Sequence, residues 1–426
     1  MISRISGLAL FVAFLTLSAE CIAQEVTYVR AGRLVDVVDG TLRTNQTIVV
    51  RGDRIERVGN SAAIEMPAGA DVIDLSGMTV LPGLIDMHVH LTGDPEAQGY
   101  ANLAASVPRN ALFGAANGRR TLNAGFTTVR NVGAGGFADV ALRDAINNGD
   151  VPGPRMRVAG HALGITGGHC DNNFLPPEYG AKGGGIADGP WEIRRKLREN
   201  AKYGADVTKF CATGGVLSKG TTVGAQQYTL EEMRTIVEES HQRDRKVAAH
   251  AHGTEGIIAA ITAGVDSVEH ASMIDDEGIR LAKTNGTFLV MDVYVSTYIL
   301  EMGEAAGFLP ESLDKERQVG QVQRNNFQKA HEAGVRMAFG SDAGVYPHGN
   351  NGKQFAYMVQ YGMTPMEAIQ AATVNAAELL GWPGDVGAIE AGMYADIIAV
   401  RGNPLEDIRE LEDVPFVMKG GEVFKQ

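Results

Sequence analysis

The chain has 426 residues, of which 44% are hydrophobic, and its formal net charge at pH 7 is −13. A chain of this length can bury a large core, and its size suits one large catalytic domain with a smaller companion domain. The acidic balance and the absence of any run of Lys and Arg argue against a nucleic-acid partner and against an anionic membrane surface. The composition is typical of a soluble enzyme and does not indicate which one.

Residues 1–23 have the pattern of a cleavable export signal. Arg4 supplies the positive charge, residues 8–17 are apolar, and residues 21–23 form a small-x-small cleavage pattern. Glu20 stands where lipoprotein processing would require a small residue, so we expect ordinary cleavage after this segment. The apolar stretch is also short for a membrane span. We therefore predict export, to the periplasm of a bacterium, with no membrane anchor in the mature form.

Short β-rich runs broken by turns occupy both ends of the mature chain. They are Thr27–Val29, Thr47–Val50, Arg54–Val58, Val72–Leu75, Asp396–Val400 and Val414–Phe424. Chain termini usually lie close together at a domain surface. We therefore predict that residues 24–80 and 384–426 form one small β-sandwich domain, which serves as a scaffold.

Between these ends, apolar strand candidates alternate with amphipathic helical stretches, an arrangement typical of a parallel sheet. The eight strand candidates are Leu84–His88, Thr127–Val132, Met156–His161, Asp206–Cys211, Lys246–His250, Ser267–His270, Thr287–Val293 and Val335–Phe339. The clearest helical stretches are Trp191–Lys202, Leu230–Arg243 and Ser312–Ala333. Eight such units predict an α/β fold, a (β/α)₈ TIM barrel over residues 81–383.

Polar side chains recur where these strands end. His88 and His90 are spaced i, i+2 at the end of the first strand, so both imidazoles share one face. Further strand ends carry His161, Lys209, His250, His252, Glu269, His270 and Asp342. Barrel enzymes keep their active sites at the carboxyl ends of the strands. We therefore expect most of these side chains to converge on one site.

Each of these residues also has a simpler structural interpretation. A single histidine at a strand end is more often packed than bound to a metal, and Asp342 could be only a helix N-cap. Packed or capping residues have no reason to recur at the same rim of one barrel. Neutral imidazoles and carboxylates together suit Zn²⁺ or a similar divalent ion. Lys209 differs because an ammonium cannot bind a cation. Reacted with CO₂ it becomes a carbamate that can bridge two ions, and its apolar neighbours favour loss of its proton.

These residues and their order resemble the binuclear-metal branch of the amidohydrolase superfamily, over nearly the whole mature chain. The matching motifs are Pro82-Gly-Leu-Ile-Asp-Met-His88-Val-His90, Thr208-Lys209, His250, His270 and Asp342. The resemblance implies two divalent ions, with Zn²⁺ expected first, held by His88, His90 and Asp342 on one ion and His250 and His270 on the other, bridged by carboxylated Lys209 and a hydroxide. Softer motifs at 167–169, 209–215 and 250–253 resemble Xaa-Pro dipeptidase-like carboxypeptidases and ochratoxin A amidohydrolases.

The resemblance implies a metal-dependent hydrolase that cleaves the amide bond of N-acyl or peptidyl C-terminal amino acids. Metal ions lower the pKa of bound water to about 7 and polarise the scissile carbonyl. Asp342 would take the proton of the hydroxide and pass it to the leaving amine. One alternative is the opening of a cyclic amide, as in imidazolonepropionases. Another is a non-catalytic scaffold, which the retention of all six ligands disfavours.

Recognition of a free substrate carboxylate would use charge-assisted hydrogen bonds. We nominate His252 first, followed by His161, His169 and Tyr294. Residues 171–189, rich in Gly and Pro, form either a lid or a surface insertion. Once residues 1–23 are removed only Cys170 and Cys211 remain, too few for a disulfide framework, and the sequence offers no argument for a bridge between them. The resemblance also leads us to expect a homo-oligomer.

Overall fold

The computed structural model describes residues 25–426, so the predicted export signal lies outside the described residues. The strands are β1 (Val26–Asp36), β2 (Thr41–Arg51), β3 (Arg54–Asn60), β4 (Asp71–Pro82), β5 (Leu84–Val89), β6 (Phe126–Asn131), β7 (Arg155–Val158), β8 (Thr208–Cys211), β9 (Val247–Ala251), β10 (Ser267–His270), β11 (Phe288–Val290), β12 (Ile397–Val400), β13 (Phe416–Lys419) and β14 (Glu422–Lys425).

The helices alternate with the central strands, as the apolar periodicity predicts. They are α1 (Val107–Asn123), α2 (Ala138–Asn147), α3 (Gly189–Lys202), α4 (Leu230–His241), α5 (Thr254–Ala263), α6 (Asp276–Asn285), α7 (Val295–Met302), α8 (Pro310–Glu332), α9 (Lys353–Gln360), α10 (Pro365–Ala371) and α11 (Val374–Leu380). Three of them, α3, α4 and α8, coincide with the predicted helical stretches to within two residues at each end. No helix among the described residues combines the length and the apolar content that a bilayer crossing requires.

The two ends of the described chain form a single seven-stranded sheet, in the order β14-β13-β12-β4-β1-β2-β3. Both chain ends join in one sheet because the long strand β4 pairs with β1 over residues 71–80 and with β12 over residues 79–82. Strand β4 therefore joins the amino-terminal and carboxy-terminal strands into one hydrogen-bonded surface. The separate sheet built from both chain ends confirms that part of the prediction. Whether this continuous sheet folds over into a β-sandwich stays a prediction.

The central strands form two parallel sheets, with the orders β5-β6-β7 and β11-β10-β9-β8. Every residue of β5, β6 and β8 to β11 is buried. Burial on both faces is expected where helices cover a parallel sheet, and it explains the nearly continuous apolar runs in the sequence. A helix follows each of these strands along the chain. The fold is therefore a mixed α/β fold with the sheet of the chain ends beside it.

Two short segments connect the parallel sheets. Met337 pairs with Leu289 of β11, while the carbonyl of Phe339 accepts a hydrogen bond from Met87 of β5. Residues 335–339, the eighth strand candidate, thus lie between β11 and β5 through single bridges instead of forming a regular strand. At the other edges, Leu163 exchanges two backbone hydrogen bonds with β8.

Strand β7 ends at Val158, three residues before the predicted end at His161. Gly160 has a φ of 63°, in the left-handed region that glycine adopts without steric cost. An extended strand cannot continue through that conformation. His161 therefore lies in the loop beyond β7.

Candidate metal centre and substrate cavity

All six residues predicted to hold metal line one cavity of about 370 Å³. They lie on or just after β5, β8, β9, β10 and the segment 335–339: His88, His90, Lys209, His250, His270 and Asp342. The carboxyl ends of the parallel strands bring them together, because these ends meet at one rim. The convergence expected from the sequence is therefore present.

The potential ligands form two adjacent groups. In the first, Asp342 Oδ1 lies 3.3 Å from His88 Nε2 and 3.4 Å from His90 Nε2. In the second, the His270 ring centroid lies 4.5 Å from that of His250 and 4.8 Å from that of His252. Within each group, one ligand atom per residue can be chosen so that all lie within 4.8 Å of one another. The two groups are neighbours, since the rings of His88 and His270 are 4.9 Å apart.

His88 is oriented by a buried chain of charged groups. Its Nδ1 lies 2.9 Å from Glu269 Oε2, and Arg130 donates to the other Glu269 oxygen over 2.8 Å. Arg130 also donates from Nε to the backbone carbonyl of Met87 over 2.7 Å. Because a carboxylate only accepts hydrogen bonds, the proton of neutral His88 resides on Nδ1. The lone pair of Nε2 therefore faces the cavity, as metal ligation requires.

His270 is held in a similar way by Asp292, whose two oxygens lie 2.9 and 3.0 Å from Nδ1. Gln323 of α8 donates to Asp292 over 2.8 Å and to the carbonyl of His270 over 3.1 Å. Asp292 was not among the predicted site residues, although a carboxylate two residues beyond β11 is at the same rim as the other candidates. Gln323 gave no signal, because its role depends on how α8 packs over the site.

The electrostatics favour the neutral form of most of these groups. Burial lowers the pKa of His88, His250 and His252 well below its ordinary value, so their ring nitrogens remain available as ligands. Burial also lowers the pKa of Lys209 to about 8. For His270, burial lowers the pKa, but the Asp292 carboxylate outweighs it and leaves the pKa raised. A cation at Nε2 of His270 would therefore compete with a proton.

One buried nitrogen of the site has no hydrogen-bond partner among the described residues, and it belongs to His250. Its Nε2 is shielded from solvent. Leaving such a group unsatisfied costs about 1–3 kcal/mol, so an unpaired buried nitrogen calls for an explanation. A divalent cation supplies one, and the donor set of imidazoles and a carboxylate is of the kind that Zn²⁺ binds. The residues present therefore fit a metal ion.

Two site residues have strained backbones. His270 has a φ of 67° and Asp342 a φ of 55°. Non-glycine residues in this left-handed region are uncommon and cluster at functional sites, at a cost of order 1–3 kcal/mol each. Both residues lie directly at the rim, where the conformation turns their side chains toward the cavity. Both strained residues are also candidate metal ligands.

The structure separates the four residues nominated for substrate binding. His252 and His169 line the cavity, and the His169 ring stacks on His250 with centroids 4.1 Å apart. His161 lies instead in an adjoining cavity and packs against Phe137. Tyr294 is 8% exposed and does not line the metal-site cavity. It packs among other tyrosines at the start of α7.

Cys170 and Cys211 form a disulfide, with Cα atoms 6.1 Å apart. This bridge could not be predicted from the sequence, because the two residues are separated by 41 positions and no local pattern links them. The bridge ties the loop after β7 to the last residue of β8. Thr166 and Asp188 close the base of the same loop through a hydrogen bond of 2.6 Å. The loop is therefore anchored at several points on the rim.

Apolar and acidic side chains complete the cavity. Its apolar part includes Val216, Leu217, Val295, Ile299, Val319 and Val345. Glu316 of α8 also lines the cavity and is only 4% exposed. Burial raises its pKa to about 7. The cavity can thus enclose an apolar group of a ligand close to the candidate metal ligands.

Comparisons with known proteins agree with this geometry. Residues 79–424 match the amidohydrolase family. An ochratoxinase of Aspergillus niger is 36% identical over 94% of this chain and 87% of its own length. Among solved structures, a Xaa-Pro dipeptidase with bound methionine has a TM-score of 0.88 and 39% identity, covering 94% of this chain and 100% of its own.

A prolidase complexed with N-methylphosphonate-L-proline has a TM-score of 0.86 and 31% identity, again over 94% of this chain and 100% of its own. Both solved structures thus match over nearly the whole described chain. The family match covers the central strands, the candidate ligands and the carboxy-terminal strands of the sheet of the chain ends. The chain belongs to the amidohydrolase family and is a hydrolase that acts on amide bonds.

Proposed function

We propose that the chain is a metal-dependent hydrolase that releases a C-terminal amino acid from an N-acyl or peptidyl substrate. The observation that carries this proposal is the cavity itself. It combines two neighbouring groups of ligand atoms, a buried lysine and a ring nitrogen of His250 that has no hydrogen-bond partner in the part of the chain that the structure describes. We also propose that the two parallel sheets form the wall of a (β/α)₈ barrel spanning residues 81–383.

In this proposal, His88, His90 and Asp342 would hold one divalent ion, and His250 and His270 would hold a second. Lys209 would add oxygen ligands after carboxylation. Carbamate formation requires the neutral amine, and a pKa of about 8 gives Lys209 a sizeable neutral fraction near neutral pH. When bound, the ions supply Lewis acidity at the scissile carbonyl and lower the pKa of water, with Zn²⁺ as the first expectation.

The chain's own residues provide orientation and proton transfer. Glu269 and Asp292 hold Nδ1 of His88 and His270, which leaves Nε2 of both rings as the potential ligand atom. Asp342 lines the cavity with a side chain that is 12% exposed, which supports a role of its carboxylate in moving a proton. An amide nitrogen must be protonated to leave, because the amide anion is a very poor leaving group. We assign that transfer to the Asp342 carboxylate.

Carboxylate recognition is assigned to the two histidines that line the cavity. His252 Nδ1 lies 2.8 Å from Ser272 Oγ, and His169 Nδ1 lies 2.8 Å from Ser218 Oγ. When the serine hydroxyl donates to Nδ1, the ring carries its proton on Nε2 and can donate it to a substrate carboxylate. The ochratoxinase and the prolidases among the similar proteins support amide substrates with a free carboxylate.

The test is metal analysis combined with a screen of ochratoxin A-like N-acyl-phenylalanines and Xaa-Pro dipeptides. We expect about two divalent ions per chain and release of the free amino acid. Activity that survives complete metal removal would contradict the metal-dependent mechanism. Opening of a cyclic amide without release of a second molecule would contradict the carboxypeptidase-like reaction. Export of the chain and its assembly into a homo-oligomer stay predictions.

A further inference from the structure

We propose that the Cys170–Cys211 disulfide is a positioning cross-link of the active site. It holds the His169 imidazole in its stack on His250, and its reduction lowers catalytic efficiency while the fold persists. The inference rests on the proposed function in taking His250 as a metal ligand and His169 as a substrate contact. The cross-link itself can be tested without any assay of activity.

The position of Cys211 is the first argument. It ends strand β8 two residues after Lys209, and alternate residues of a strand point to the same face. Both cysteines line the cavity together with Lys209 and His250. The cross-link thus joins the strand that carries the buried lysine to the residue that follows His169. A small reductant that enters the cavity reaches the sulfur atoms.

The packing of His169 is the second argument. Its ring lies nearly parallel to that of His250, with 16° between the planes, and its Nδ1 is 2.8 Å from Ser218 Oγ. A Cβ on Gly215 would lie 2.3 Å from the His169 ring, and a Cβ on Gly164 would lie 2.7 Å from Cys170 Cβ. The ring and the cross-link therefore fill spaces that only glycine leaves open. This close fit leaves the ring little freedom while the cross-link is intact.

The anchoring of the loop predicts a local effect of reduction. Thr166 binds Asp188 through its hydroxyl and its backbone, and Asp171 accepts a hydrogen bond from Gly183 over 2.7 Å. These contacts keep the base of the loop in place without the disulfide. Loss of the cross-link should therefore release mainly the segment around His169 and Cys170. The consequence is a misplaced imidazole and not an unfolded domain.

A dithiol can reduce the disulfide without any further reagent, because it supplies both electrons. One thiolate of the dithiol attacks a sulfur of the bridge, forming a mixed disulfide and releasing the other cysteine as a thiolate. The second thiol of the reductant then attacks the mixed disulfide and releases the remaining cysteine. The dithiol leaves as a cyclic disulfide. Two electrons pass to the protein, and both cysteines end as thiols after protonation.

The experiment compares the wild-type chain with the double variant Cys170→Ser/Cys211→Ser, each with and without His169→Ala. Loss of a hydrogen bond to a charged group costs about ten- to a hundred-fold in kcat/KM. We expect a loss of this size in the serine double variant for substrates with a free carboxylate, carried mainly by KM. His169→Ala should then cost little more in that background. A serine variant with unchanged kcat/KM, or losses that are fully additive, would overturn the proposal.

Four further measurements do not depend on activity. Peptide mapping without reduction should recover the peptides containing Cys170 and Cys211 joined, and their separate recovery would overturn the cross-link. Amide hydrogen exchange over residues 165–175 should accelerate in the serine variant. The amount of bound metal and the unfolding temperature of the domain should stay close to the wild-type values. Unchanged exchange would contradict the positioning role. If the serine variant does not fold, dithiol-reduced and desalted wild-type protein takes its place.

If the wild-type chain cleaves none of the amide substrates, the proposed function fails. Peptide mapping and hydrogen exchange then still decide whether the cross-link holds the segment around His169.

Discussion

Nδ1 of His88 lies 2.9 Å from the carboxylate of Glu269, and neither side chain is more than 1% exposed. Glu269 in turn pairs with the equally buried Arg130 over 2.8 Å. The arrangement connects a candidate metal ligand on β5 with residues of β6 and β10. A buried carboxylate between an imidazole and a guanidinium orients the imidazole and compensates the guanidinium charge. The site thus depends on Glu269 and Arg130, which do not line the cavity themselves.

Glu269→Gln should therefore weaken metal binding without removing any ligand. Loss of a carboxylate behind a metal-binding histidine typically lowers metal affinity about 10- to 100-fold. Competition with a chromophoric chelator measures this affinity, with Glu277→Gln on the exposed surface of α6 as the matched control. Equal affinity in Glu269→Gln and the control would show that the Glu269 charge does not support His88.

Asp342→Asn should preserve the fold while it removes the proton-transfer group. Asn tolerates the left-handed backbone of this position about as well as Asp. We expect kcat to fall about 100-fold or more, the scale of general acid–base contributions. Steady-state kinetics at matched metal content measure the change, because Asp342 is also a candidate ligand. A variant within a few-fold of wild type would assign the proton transfer to another group.

Lys209→Ala should abolish activity, and a short added carboxylate such as acetate should restore part of it. The reason is that a small carboxylate can occupy the space of the carbamate and supply two oxygens. Lys329→Ala, on the exposed face of α8, is the control and should be unaffected by the added carboxylate. Kinetics across an acetate series measure the rescue. Full activity of Lys209→Ala without acetate would rule out the bridging role.

Glu316 should make stability depend on pH. Burial raises its pKa from 4.5 to about 7, so the folded state binds this proton more tightly than the unfolded state. The resulting stabilisation is complete below pH 4.5 and is lost as the pH rises to 7. Relative to Glu316→Gln, the wild-type chain should lose up to about 3 kcal/mol of unfolding free energy between pH 4.5 and pH 8. Urea unfolding at both pH values measures the difference, and a constant difference would contradict it.

Methyl esters of the preferred substrates should be cleaved more slowly than the free acids, by about ten- to a hundred-fold in kcat/KM. His252→Ala should narrow this gap because it removes a hydrogen-bond donor, whereas Tyr294→Phe should not, because Tyr294 does not line the cavity. Paired kinetics on acid and ester measure the gap. Equal cleavage of both forms by the wild-type chain would exclude carboxylate recognition.

The sequence alone determined the features that depend on local periodicity. The i, i+2 spacing of His88 and His90 on an apolar strand predicts two imidazoles on one face. The alternation of buried strands and amphipathic helices predicts a parallel sheet, and a parallel sheet gathers its carboxyl ends at one rim. That topological rule sufficed to predict that Lys209, His250 and Asp342 share a cavity. This prediction did not require knowledge of the loops or of the packing of the helices.

Only the tertiary structure decided what depends on long-range packing. The disulfide joins Cys170 and Cys211 across 41 positions, and Gln323 reaches Asp292 because of the way α8 lies over the rim. Tyr294 follows β11 in sequence, yet it packs away from the cavity. The course of a loop and the rotation of a helix follow from the fit of distant side chains, and no local spacing encodes that fit.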